Sequence, residues 1–177
     1  HLSMHDQLTG LFNRTFFEGE MQRLSNSRHS TGIVIIDVNG LKLINDTLGH
    51  ASGDALICNV ASLLRLHFRG DDIISRIGGD EFAALLPHST DQQLTQLLNR
   101  LREAASKYNQ DHPELPLSIA TGYAIATPGS TSLDEAFRQA DNHMYNDKSK
   151  HRETARRLIL NSFLRKVQGK EGLQQKD

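Results

Sequence analysis

The chain has 177 residues, a formal net charge of -1 and 37% apolar residues. This length suits one domain with a real core, and the balanced charge argues against a nucleic-acid coat or a direct membrane-surface binder. The single cysteine, Cys58, excludes a disulfide framework, and no apolar run is long enough to span a bilayer. We expect a cytoplasmic domain, which a longer protein could still anchor to a membrane.

Apolar periodicity predicts the elements of the first half of the chain. An unbroken β-branched run at 32–37 is typical of a central strand buried on both faces. Two apolar strands around Gly78-Gly79 predict a hairpin, because glycine accepts the positive φ that such turns need. The remaining predicted elements are helices at 14–24 (capped by Asn13), 40–48 and 53–68.

The second half predicts two helices flanking a strand, then a further helix. The elements are a helix at 91–108, a strand at 117–126, a helix from a Ser132/Glu135 capping box to about Lys148, and an amphipathic helix at 153–167. Tyr145 is expected in the core. Together the elements predict an α+β fold, with a central, mostly antiparallel sheet wrapped by helices.

The charge changes abruptly near Lys150. Residues 150–177 carry eight basic and three acidic residues, a net of +5 within a chain that is nearly neutral overall. We therefore expect the main domain to end at about residue 152. Residues 153–177 would form a basic helix or linker, whose apolar face needs a partner.

Acidic residues follow the predicted central strand and the hairpin bend. Asp37 ends the strand, and Asp80 and Glu81 lie at the bend. We expect the three carboxylates to meet at one edge of the sheet, where oxygen ligands without His or Cys suit Mg²⁺. Two such ions commonly support attack of a hydroxyl on a nucleotide phosphate. The alternative is that Asp80 and Glu81 only solvate a hairpin tip.

Four motifs in order resemble the GGDEF family of diguanylate cyclases. They are the segments 6–14, 37–54 and 76–82, and a closing helix with Ala140-Asp141, Met144-Tyr145 and Lys148. The resemblance covers roughly residues 5–152. It implies a fold similar to the palm of nucleotide cyclases and polymerases, which agrees with the α+β prediction.

The resemblance also implies roles for individual residues. The metal ligands would be Asp37, the Val38 carbonyl, Asp80 and Glu81, with two Mg²⁺ ions (or Mn²⁺) per site and Glu81 also placed to assist deprotonation of the 3′-hydroxyl. Guanine would be read by Asn45 and Asp54, and the triphosphate held by Lys42, Lys148 and Arg152. Gly78 and Gly79 would let phosphates approach the backbone.

The activity implied by the resemblance joins two GTP into cyclic di-GMP, with loss of two pyrophosphates. Each domain would hold one GTP, so a catalytic homodimer is implied. The family also implies an upstream sensor and a possible downstream domain in a longer protein. No nucleic acid is expected as a partner.

Arg69-Gly70-Asp71-Asp72 matches the R-x-x-D inhibitory site of the same family, because five residues separate it from Gly78 as in family members. Arg69 and Asp72 would bind the guanine of the product, and Arg100 would join the site from the following helix. The alternative is a solvated turn.

The chain departs from the family pattern at three places. Asn39 and Leu41 stand where many members have Asp and Phe, and Lys150-His151-Arg152 replaces the usual Gly-Arg-Asn. These departures leave open a catalytically silent domain that binds GTP or cyclic di-GMP as a receptor. A cyclase that also accepts ATP is a third possibility, against which Asp54 argues.

Overall fold

The computed structural model describes residues 3–174, which contain five helices and four strands. They are α1 (Arg14–Ser25), β1 (Thr31–Val38), α2 (Leu41–Leu48), α3 (His50–His67), β2 (Ile73–Arg76), β3 (Glu81–Pro87), α4 (Asp91–Asp111), β4 (Ile119–Ala126) and α5 (Leu133–Gln174). The strands form one sheet in the order β2-β3-β1-β4, and every neighbouring pair is antiparallel. The predicted α+β class is confirmed.

Strand β1 lies in the middle of a three-layer core. Its side chains alternate between two faces: Val34 and Ile36 pack with α3 and α4, while Ile33 and Ile35 pack with α1 and α5. All eight residues of β1 are buried. The β-branched run therefore forms a central strand buried on both faces, as predicted, because helices cover both faces of the sheet.

The predicted caps form and fix where the helices begin. Asn13 Oδ1 accepts the Phe16 N–H at 2.9 Å, and Ser132 Oγ accepts the Glu135 N–H at 3.1 Å.

Helix α3 begins at His50, earlier than predicted. Gly49, at a φ of +93°, both ends α2 and precedes α3, so a single glycine separates the two helices.

The largest departure from the predicted elements is at the C-terminal end. A helix ending near Lys148 followed by a separate one at 153–167 is wrong, because α5 is a single helix of 42 residues, about 63 Å long. The junction Ser149-Lys150-His151-Arg152 contains neither Gly nor Pro, so nothing stops the helix there.

The second half of α5 lies partly against this domain. Ala155, Ile159 and Ser162 are buried, so the first part of the apolar face packs against this domain, while Val167 stays 37% exposed. The division into a domain at 5–152 and a linker at 153–177 stays a prediction.

Tyr145 is 61% exposed, so its predicted place in the core is wrong. Its neighbour Met144 takes the buried position, since successive helical residues point about 100° apart.

Helix α5 crosses β4 at close range. A Cβ at Gly122 of β4 would collide with the Ala140 carbonyl and the Met144 amide. The glycine thus allows the helix backbone to approach the sheet and brings the first third of α5 close to β4. Within residues 3–174, none of the helices has the length and apolar character required to cross a membrane.

Candidate active site

Strand register brings the predicted acids to one edge of the sheet. Asp37, near the end of β1, pairs directly with Glu81, the first residue of β3. Asp80 immediately precedes it, and its carbonyl accepts the Val38 N–H at 2.8 Å. The hairpin bend and the end of the central strand therefore present their carboxylates together.

Asp37 is the most buried of these acids. Its Oδ1 is buried and has no hydrogen-bond partner among residues 3–174, while its Oδ2 lies 3.2 Å from Nζ of Lys148. Burial and the Asp80 carboxylate raise the pKa of Asp37, and Lys148 opposes them. A buried carboxylate oxygen without a donor is suited to a cation.

A fourth carboxylate joins the cluster from α5. Burial raises the pKa of Glu81, and the negative charges of Asp141, Asp37 and Asp80 raise it further, whereas Arg14 opposes the rise. Asp141 is not among the residues predicted for the site. It lies seven residues, about two helical turns, before Lys148, and this spacing could have placed it on the same face.

The donor set fits a hard divalent cation, although no group of three or more His, Cys, Asp or Glu side chains in residues 3–174 is gathered into a metal site. Carboxylates are gathered at this edge, and one buried oxygen of Asp37 has no donor among residues 3–174. Such oxygens are the ligands that Mg²⁺ prefers. In this structure the ammonium of Lys148 supplies the positive charge at the other oxygen of Asp37.

The predicted hairpin is confirmed, but the reason given for its glycines is wrong. Neither Gly78 nor Gly79 has a φ in the left-handed region. Instead the Glu81 carbonyl accepts the N–H groups of Ile77 at 2.9 Å and Gly78 at 3.2 Å. A Cβ at Gly79 would meet no atom of residues 3–174 within 4 Å, whereas one at Gly78 would contact the Glu81 side chain at 3.4 Å, so the open backbone surface lies at Gly79.

The N-terminal motif braces this bend. Arg76 donates through Nη2 to the Gly79 carbonyl at 2.7 Å, and its Nη1 lies 3.4 Å from Oδ1 of Asp6. Asp6 also accepts the Thr9 N–H at 2.8 Å and the Thr9 hydroxyl at 2.7 Å. Although burial opposes it, these hydrogen bonds and Arg76 lower the pKa of Asp6.

The residues expected to read guanine lie where α2 meets α3. A Cβ at Gly53 would collide with Oδ1 of Asn45, so the Asn45 side chain lies directly over this glycine. Asp54 follows Gly53 and is exposed, and Lys42 is exposed in the first turn of α2. The structure therefore places the half-buried Asn45 over the residue that precedes the exposed Asp54.

Two predicted phosphate ligands lie one turn apart on α5. Lys148 is partly buried against Asp37, whereas Arg152 is exposed.

The departure at Asn39 has a structural explanation. Its backbone N–H donates to the Ser118 carbonyl at 2.8 Å and its side-chain amide to the Ser118 Oγ at 3.0 Å, so Asn39 joins the end of β1 to the segment before β4.

The R-x-x-D segment forms a turn between α3 and β2. Asp72 Oδ2 accepts the Arg69 N–H at 2.8 Å, and the Asp72 N–H donates to the Arg69 carbonyl at 3.1 Å. Burial raises the pKa of Asp72. The side chains of Arg69 and of Arg100, on α4, are exposed. The Asp72 carboxylate thus already stabilises its own turn, and Arg69 presents a guanidinium to solvent.

Comparison with known proteins identifies the family. Residues 3–154 match the family model "Diguanylate cyclase, GGDEF domain", and the chain belongs to this family. It is 32% identical over 166 residues to the probable diguanylate cyclase DgcT of Escherichia coli, covering 90% of this chain and 36% of that protein. It is 33% identical over 168 residues to the diguanylate cyclase TpbB of Pseudomonas aeruginosa, covering 91% of this chain and 39% of that protein.

Solved structures agree in fold. The GGDEF domain of TpbB superposes with a TM-score of 0.72 at 31% identity, covering 82% of this chain and 89% of that one. The GGDEF domain of DgcB from Caulobacter crescentus, in complex with c-di-GMP, gives a TM-score of 0.76 at 26% identity and covers 86% and 94% of the two chains. The present chain spans between 36% and 39% of the length of DgcT and TpbB.

Proposed function

We propose that this domain is a diguanylate cyclase that condenses two GTP into cyclic di-GMP. Each 3′-oxygen bonds to the α-phosphorus of the other GTP, the bond from that phosphorus to the pyrophosphate breaks, and two pyrophosphates and two hydroxyl protons leave. The observation that carries the proposal is the sheet edge where Asp37 and Glu81 are paired by register, in a chain of the GGDEF family.

The acidic edge would hold the metal. Its ligands would be the carboxylates of Asp37, Asp80 and Glu81 together with the backbone carbonyl of Val38. These are hard oxygen donors, which suit two Mg²⁺ ions and also accept Mn²⁺. When bound, the divalent ions supply charge stabilisation of the phosphates and activation of the 3′-hydroxyl. The unpartnered Oδ1 of Asp37 supports this assignment.

The remaining residues would orient the nucleotide. Asp54 and Asn45 would read guanine, because a carboxylate accepts from the N1–H and N2–H donors that adenine lacks. The triphosphate would lie along the backbone of Gly78 and Gly79, which is open at Gly79. Its charge would be neutralised by three dispersed cations: Lys42, Lys148 and Arg152.

Catalysis would require two copies of the domain, since each holds one GTP and each 3′-hydroxyl attacks the nucleotide of the other. In a longer protein an upstream sensor would control this encounter, and the greater length of the relatives supports such a partner.

Cyclic di-GMP would then inhibit its own synthesis by binding at Arg69 and Asp72, with Arg100 assisting.

The decisive experiment is incubation of the purified chain with GTP and Mg²⁺, with the product identified by mass. We expect cyclic di-GMP from the parent and at least about a hundred-fold less from Asp80→Ala, because removing a metal ligand forfeits several kcal/mol of transition-state stabilisation. Asp111→Ala, which removes an exposed acid at the end of α4, is the matched control.

A fusion to a parallel coiled coil would bring two domains together and remove the dependence on chance encounter. If the fused protein forms no cyclic di-GMP, the domain is not a cyclase. Binding of GTP or cyclic di-GMP by that inactive protein would instead support the receptor hypothesis. Equal product from Asp80→Ala and the parent would refute the metal assignment.

A further inference from the structure

The part of α5 that extends beyond the family match makes specific contacts with the domain. The match ends at residue 154, while α5 continues to Gln174. In this extension Ala155, Ile159 and Ser162 are buried. Their spacing of four and three residues puts them on one face of the helix. The extension is thus held against the domain by a continuous stripe.

Ile159 packs on the turn that begins α2. Its Cδ1 occupies the position that a Cβ on Gly40 would take, and Gly40 has a φ of +75° as the N-cap of α2. Ile159 is only 2% exposed and belongs to the same core cluster as Ile44 and Leu117. A larger residue at position 40 would be both strained and in collision with this side chain.

A polar contact one turn further along fixes the same face. Ser162 Oγ donates to the Glu114 carbonyl at 2.8 Å, and Ser162 is buried. The segment after α4 therefore anchors α5 where Ile159 meets Gly40. The apolar contact and the hydrogen bond are independent, and both hold the helix in this position.

The turn under Ile159 joins two parts of the candidate site. On one side is the end of β1 with Asp37, and on the other is α2 with Lys42 and Asn45. The Gly40 carbonyl accepts the Ile44 N–H at 3.0 Å, which begins the helical ladder of α2. The direction of α2 is therefore set at Gly40, directly below Ile159.

Helix α5 contacts the segment 37–40 at both of its ends. Lys148 lies beside Asp37 and Ile159 lies on Gly40. The two α5 residues are eleven apart, which is about three full turns, so they share one face of the helix. One helix makes both contacts, because α5 runs unbroken through residues 149–152.

We propose that Ile159 is a positioning residue that fixes the Asn39–Gly40 turn and, through it, the orientation of α2 for nucleotide binding. The part that concerns GTP rests on the proposed function. Loss of the Ile159 side chain would leave a cavity over Gly40 and allow the first turn of α2 to move. Asn45 and Lys42 would then be held less firmly, which weakens substrate binding more than the chemical step.

The test uses Ile159→Ala with Ile159→Val as the conservative variant and Leu160→Ala as the matched control, because Leu160 is the next residue and is 36% exposed. The first measurement is amide hydrogen exchange of the nucleotide-free protein. We expect exchange in residues 39–48 to rise about tenfold in Ile159→Ala, with β1 and β3 still protected. Ile159→Val should restore most of the protection, and Leu160→Ala should match the parent.

The second measurement is steady-state kinetics with GTP. We expect the KM of Ile159→Ala to rise about five-fold with kcat changed by less than about two-fold. Unchanged exchange at 39–48 in Ile159→Ala would overturn the proposal. It would also be overturned if exchange rose equally in all helices and strands, in both Ile159→Ala and Ile159→Val. A lower kcat at constant KM would overturn its nucleotide part. If the coiled-coil fusion of the parent forms no product, the proposed cyclase activity fails, while the exchange experiment still decides the role of Ile159.

Discussion

Lys148 of α5 forms an ion pair with Asp37 near the end of β1, with Nζ 3.2 Å from Oδ2 and side chains 33% and 12% exposed. A residue proposed to hold phosphate therefore contacts a residue proposed to hold metal. Burial raises the pKa of Asp37, the carboxylates of Asp80 and Asp141 raise it further, and Lys148 opposes the rise. Lys148 thus stabilises the carboxylate of Asp37 within the acidic edge.

Lys148→Ala should make the domain less stable and more dependent on Mg²⁺. Removing the partner of a largely buried carboxylate should lower the Tm in EDTA by about 3–8 °C. Added Mg²⁺ should raise the Tm of the variant more than that of the parent, because the ion then supplies the missing charge. Thermal unfolding with and without Mg²⁺ measures both effects. Lys150→Ala, an exposed lysine of the same helix, is the control, and equal Mg²⁺ shifts in parent and Lys148→Ala would contradict this account.

Asp6→Asn should destabilise the fold by about 1–2 kcal/mol at pH 7, because Asp6 pairs with Arg76, which holds the Gly79 carbonyl. The pKa of Asp6 is lowered in the fold. Its contribution is therefore present above the unfolded value of about 3.9 and is lost as the pH falls through the folded pKa. Urea unfolding of parent and variant should show a difference that shrinks below about pH 4. A constant difference over this range would exclude the ionised pair as its source.

Arg69→Ala should relieve inhibition by cyclic di-GMP, raising the inhibition constant about tenfold or more through loss of a charged hydrogen bond. Arg69 is a cleaner target than Asp72, because the Asp72 carboxylate accepts the Arg69 N–H and its removal would disturb the turn itself. Initial rates at increasing product concentration measure the effect. Arg28→Ala, at another exposed arginine, should behave like the parent. An unchanged inhibition constant in Arg69→Ala would leave the solvated-turn hypothesis.

Asp54→Ser should reduce the preference for GTP over ATP by about tenfold or more, because a serine cannot accept both guanine donors as a carboxylate does. Asp54 is exposed beside Asn45, so the change should spare the fold. The ratio of kcat/KM for the two nucleotides is the measurement, with Asp111→Ser as control. If selectivity is retained, the base is recognised elsewhere.

Local signals allowed most of the elements to be predicted, and they failed where a distant contact decides. Asn13 and Ser132 cap helices as expected. The continuation of α5 through Lys150 is not predicted, because the change in charge there indicates the end of the domain, although no Gly or Pro stands there. The hairpin at Gly78-Gly79 was predicted correctly, yet its turn does not use positive φ.

The sequence by itself determines the buried central strand, the hairpin and the set of chemical groups, because periodicity, turn residues and side-chain chemistry act within a few residues. Only the tertiary structure decides that Asp37 faces Glu81, that Asp141 joins them, and that Ile159 rests on Gly40. These relationships join residues far apart in the chain, and their distances are set by strand register and by the packing of α5 across the sheet. Such packing depends on many side chains together, which no local pattern contains.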